Sequence, residues 1–164
     1  IPRGQAGGYT MYRPSDDQDY SSFNELNERI CSLLGGRVAE KLTQNDVTTG
    51  AGNDLKRATE IARKMVMKYG MSDRIGPIVY GSDHDEVFLG RDFSSSPHYS
   101  EHTSAQIDEE VKRIVEEASQ RCERILTENM GKLHEIAEYL FKNEKMDGAM
   151  FKNIMSQPAA GSAQ

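Results

Sequence analysis

Four histidines, His84, His98, His102 and His134, and the acids around them are the residues whose types could do chemistry. A hydrolytic zinc takes three protein ligands and keeps one position open for water. The metal brings that water's pKa down to about 7 and polarises a carbonyl, while a nearby Glu moves the proton. His98-Tyr99-Ser100-Glu101-His102 fits the spacing His-x-x-Glu-His. Its context argues against a metal site. Three serines and Pro97 precede it, and Ser100 reads as a helix N-cap, so His98 falls outside the helix and the two imidazoles share no face. His134-Glu135-Ile136-Ala137-Glu138 places Glu138 where a second His is required, and it reads as a charged helix face. Asp54 heads an apolar helical stripe, with Ala58, Ile61 and Met65 following at four, seven and eleven residues. An acid in line with that stripe aims inward and needs a partner. Spacing alone favours the plainer reading, a first-turn acid drawn there by the helix dipole, because acids are common at that place.

The elements that must carry these groups follow from periodicity. Ser22 with Glu25 forms a capping-box pattern, and Phe23, Leu26, Ile30, Leu33, Leu34, Val38 and Leu42 make a helical stripe over Ser22 to Leu42. Gly35-Gly36 interrupts it, which suits a close neighbour or a bend. Glu40 is a candidate for supporting a metal site, or a plain surface charge. Thr48 to Asn53 is turn-rich, and a helix then runs to a stop at Gly70. Met71 to Pro97 is irregular, with strand candidates at Ile78–Tyr80 and Val87–Leu89, and Gly8 to Tyr12 is a further one near the start. Helices are expected over Ser100 to about Glu128 and Asn129 to Lys142, with a short one starting at Asp147. Residues 156–164 read as a disordered tail.

The 164 residues carry 37% hydrophobic and 28% charged side chains, ordinary for one soluble domain. The net charge of −6 argues against a nucleic-acid footprint. Lys56, Arg57, Arg63, Lys64 and Lys68 read as a solvated helix face. No apolar run reaches the roughly 20 residues that span a bilayer. The chain has no initiator Met and reads as an excised piece, so any membrane anchor lies elsewhere. The two cysteines, Cys31 and Cys122, fall in apolar stripes and read as buried thiols rather than a disulfide framework, with a Cys31–Cys122 bridge as the less favoured alternative.

The segment TTGAGNDLKRATEIARKMV resembles the part of the peptidase domain of FtsH-type ATP-dependent zinc metalloproteases that carries the last zinc ligand. IPRG at Ile1 to Gly4, LLGGRVAEKL at Leu33 to Leu42, GMSDRIGPIVYG at Gly70 to Gly81, EVFLGRD at Glu86 to Asp92 and IDEEVKRIVEEA at Ile107 to Ala118 extend the match to about Met155. The family's His-Glu-x-x-His helix is not in this chain.

The resemblance implies a mainly α fold with a few short β-strands, spanning residues 1–155 as part of a zinc peptidase domain. It makes Asp54 the third zinc ligand and puts the two His ligands and the catalytic Glu upstream of Ile1, leaving no catalytic residue here. It places Gly7, Gly8, Tyr9 and Thr10 on an edge strand that could pair with an extended substrate. It further implies protein substrates, a homo-hexamer, and an upstream ATPase domain that binds ATP and Mg²⁺. The parent would be membrane-anchored, with this portion in the cytoplasm or an organelle interior. On that reading the chain alone holds no catalytic zinc and has little or no peptidase activity. The competing expectation is a non-catalytic, all-helical module that oligomerises or docks a partner.

Overall fold

The computed structural model describes residues 20–80 and 99–157. Five α-helices account for most of them: α1, Phe23–Gln44; α2, Gly52–Met67; α3, Glu101–Glu128; α4, Met130–Asn143; and α5, Gly148–Ser156. A 3-10 turn, Thr49–Ala51, leads into α2. No strand forms among the described residues, and Ile78–Tyr80 runs without a ladder. The candidates at Gly8 to Tyr12 and Val87–Leu89 lie outside those residues; the mainly helical expectation holds, and Ile78–Tyr80, the one strand candidate among the described residues, forms no ladder. The chain groups into two compact units, one of residues 21–124 and one that includes residues 125–157.

In the first unit the helix starts are written in side chains. Ser22 and Glu25 close a reciprocal capping box on α1, with the Ser22 amide donating to Glu25 at 2.6 Å and the Glu25 amide to Ser22 at 3.2 Å. The Ser22 amide holds the Glu25 carboxyl below its ordinary range. The Thr103 amide donates to Ser100 Oγ at 3.2 Å, so Ser100 caps α3 as its position predicts. Gly70 ends α2 with φ +60, and a Cβ there would stand 3.0 Å from the Pro77 backbone. The chain then folds back, and the Tyr80 amide donates to the Met67 carbonyl at 2.9 Å.

The core of this unit joins three faces. α1 contributes Leu26, Ile30, Cys31, Leu34 and Val38; α2 contributes Ala58, Ala62, Met65 and Val66; α3 contributes Ile107, Val111, Ile114, Ala118 and Cys122. Ile30, Met65 and Ile114 are almost wholly removed from water. Each is worth roughly 1.5–3 kcal/mol of transfer free energy before chain entropy opposes it. The α1 stripe is narrower than its sequence suggests. Phe23, in the first turn, stays 44% exposed, and Leu33 and Leu42 are only part-buried. Gly35 and Gly36 are not explained by close packing, since a Cβ on either meets no described atom within 4 Å.

The second unit begins within the last turn of α3. The Asn129 amide and side chain both return to the Ile125 carbonyl, and α4 starts immediately after. Asp147 caps α5 by accepting from the Met150 amide at 2.7 Å. Lys132 of α4 reaches the Met155 carbonyl of α5. Ile154 is buried, but α4 has no fully buried residue, and Phe141 in its expected stripe is 90% exposed. Ser156 still belongs to α5, and residues 158–164 lie outside the described ones.

Candidate metal centre

The approach to α2 is built by the end of α1. Asn45 takes a left-handed conformation (φ 53) and turns the chain. Asp46 then accepts from the Val47 amide at 2.7 Å. Glu40, on the last turns of α1, accepts from both the Thr48 amide (2.9 Å) and the Thr48 hydroxyl (2.8 Å). The Thr48 oxygen in turn accepts from the Gly50 amide at 3.2 Å and starts the 3-10 turn. These bonds, the backbone one first, hold the Glu40 carboxyl below its ordinary range. Glu40 is thus a brace for the segment leading to Asp54, eight residues from its partner. Periodicity cannot reveal a contact of that kind.

Asp54 sits in the first turn of α2. Its side chain is 48% exposed and lies 3.9 Å from Arg57. Along the stripe it heads Ala58 and Met65 are buried and Ile61 is part-buried, and the exposure of the acid itself fits a first-turn acid rather than an inward aim. The carboxylate stands at the rim, where the first helical turn projects past the core. The helix N-terminus favours an anion at this place, and a half-exposed oxygen donor is open to a metal. One carboxylate does not make a zinc site, which takes three protein ligands. No group of three His, Cys, Asp or Glu side chains converges among the described residues.

The other candidates separate. His102 is exposed in the first turn of α3, while His84 and His98 lie outside the described residues. His134 and Glu138 are exposed on α4, and Glu138 pairs with Lys142 at 4.0 Å, as a charged helix face would. Gly7, Gly8, Tyr9 and Thr10 also lie outside the described residues.

A second polar centre was not anticipated. Glu110 is 1% exposed, and Arg113 donates to both its oxygens, at 3.1 and 2.6 Å. Ser72 also hydrogen-bonds to it, and Arg74 approaches to 3.8 Å. The Arg113 bonds hold the Glu110 carboxyl below its ordinary range despite burial, and the guanidinium's own pKa is raised in return. The cluster fastens the turn after α2 to α3. Its signal was legible: Glu110 falls between Ile107 and Ile114 in the buried stripe of α3.

Among curated proteins, the ATP-dependent zinc metalloprotease FtsH of Caldicellulosiruptor bescii is 52% identical over 159 residues, covering 97% of this chain and 26% of that protein. ATP-dependent zinc metalloprotease FtsH 1 of a Thermoanaerobacter species is 53% identical over 156 residues, with 95% and 26% covered. The FtsH of Bacillus subtilis is 46% identical over 156 residues, with 94% and 24% covered. The chain therefore spans about a quarter of the length of these relatives. The family described as Peptidase family M41 matches residues 1–154, and with relatives this similar over nearly its whole length the chain belongs to that family of metallopeptidases.

Proposed function

We propose that this chain is part of the proteolytic domain of an ATP-dependent zinc metalloendopeptidase and that Asp54 supplies one of its zinc ligands. The observation that carries this reading is a rim carboxylate at the head of α2, in a chain that matches the zinc metallopeptidase family over residues 1–154. Two further ligands and the catalytic Glu would come from a His-Glu-x-x-His helix outside the 164 residues. When bound, zinc would supply an activated water and a polarised carbonyl.

The chain's own residues act by positioning. Asp54 offers a donor oxygen to the metal and gives up its long contact with Arg57 to do so. Glu40, through Thr48, holds the segment that leads into that first turn. Residues 7–10 would receive an extended protein substrate by strand addition. A hexameric, membrane-anchored parent with its own ATPase domain completes the proposal. Among the described residues no helix is long and apolar enough to cross a membrane.

The test uses the full-length protein that contains this chain. Asp54→Ala should lose bound zinc by elemental analysis and lose casein hydrolysis by about a hundredfold or more. Its helical circular dichroism should be kept. Glu40→Gln should keep the zinc stoichiometry but weaken metal affinity by about tenfold. Zinc and hydrolysis both unchanged in Asp54→Ala would refute the assignment. The isolated chain should hold no stoichiometric zinc.

A further inference from the structure

Cys31 of α1 and Cys122 of α3 meet where the two helices cross. Two ion pairs flank the crossing, Arg121 to Glu28 at 3.5 Å and Lys41 to Glu123 at 3.3 Å. Both sulfurs are free thiols, Cys31 9% exposed and Cys122 4%, and they lie within interaction range of one another. Burial first, and then the neighbouring Cys31, push the Cys122 thiol up to about 12. At neutral pH Cys122 therefore holds little of the reactive thiolate.

We propose that Cys31 and Cys122 are a cross-link closed by a hydroperoxide oxidant, which locks α1 to α3. The step balances with hydrogen peroxide. The Cys31 sulfur, the more exposed, takes one peroxide oxygen as the O–O bond breaks, and the departing hydroxide leaves as water with the thiol proton. Cys31 is then a sulfenic acid. The Cys122 sulfur attacks the Cys31 sulfur, the S–S bond forms, the S–O bond breaks, and a second water leaves with the Cys122 proton. Two thiols are oxidised, and one peroxide is reduced to two waters. The chain has no third cysteine to divert the sulfenic acid. The new bond, about 2.05 Å long, draws the two helices together at their crossing. A dithiol reductant reopens it by exchange. Because α1 also bears Glu40, the lock stiffens the base from which the Asp54 segment is braced. The inference does not rest on the protease reading.

The experiment treats the full 164-residue chain with hydrogen peroxide and then removes the oxidant. Free thiols are counted after denaturation, and intact mass and a peptide map are recorded without reduction. The expected result is a monomer lighter by two hydrogens, with no free thiol and one peptide joining Cys31 to Cys122. Its melting temperature should rise by roughly 5–15 °C and return on reduction. Cys31→Ser and Cys122→Ser should each abolish the linked peptide. A monomer that keeps both thiols, a disulfide between two chains, sulfinic acid without cross-link, or a cross-linked chain that melts lower each overturns the proposal. The wild-type peptide map alone decides the point if either variant fails to fold.

Discussion

Glu110 shows how one buried charge can fix a turn. Its carboxylate is closed off from water and saturated by Arg113 and Ser72. Removing the charge leaves donors aimed at a poorer acceptor. Glu110→Gln should therefore cost about 2–3 kcal/mol, measured by urea unfolding at neutral pH. The pH dependence follows in sign. A carboxyl whose folded pKa lies below its unfolded value stabilises the fold above the unfolded value, and that contribution disappears as pH falls through the folded one. The ordinary value is 4.5, so the loss belongs to the acid range beneath it. Glu110→Gln should flatten that part of the stability profile, and an unchanged acid limb would contradict the role given to Glu110. Asp54 is the converse case. Its place on the stripe and in a first helical turn was legible, but periodicity left inward aim and exposure both open, because it gives direction around a helix and not distance from the end of the core.

Helix boundaries were the most legible elements. Ser22, Ser100, Asp147 and Gly70 all act where their chemistry predicts, since capping depends on a few neighbouring residues. Packing between elements was less so. Gly35-Gly36 suggested a close neighbour or a bend, and a Cβ there meets open space among the described residues, which removes the first. The two glycine environments make opposite predictions. Gly36→Ala should stabilise the chain by about 0.5–1 kcal/mol, through higher helix propensity and a less disordered unfolded state. Gly70→Ala should destabilise by about 1–3 kcal/mol, because it forces a left-handed φ and a clash with the Pro77 backbone. Paired thermal melts check both, and a shift of the same sign in the two variants would contradict this account.

For the molecule as a whole, helical periodicity, with the family resemblance, gave the mainly helical class and the separate apolar stripes that α1, α2 and α3 bury. It did not give the division into two units. Nor did it give the apolar side chains left at the surface, which include Ile78 and Val79 in the first unit and Phe141 and Phe151 in the second. Where such side chains form a contiguous patch they mark an interaction surface. The isolated chain should therefore associate as its concentration rises. Light scattering over a concentration series should show this, and Phe141→Lys should reduce it. Monodisperse monomer throughout the series would mean that these side chains are too scattered to form a patch.

The Thr48 hydroxyl has a single proton, and the geometry commits it to Glu40. Its oxygen is thereby left facing the Gly50 amide as an acceptor. The three groups form a one-way relay from amide to hydroxyl to carboxylate, with no rotor freedom at its centre. Serine can run the same relay. Valine, which matches threonine in outline, breaks it at both links and leaves the carboxylate only the backbone amide of residue 48.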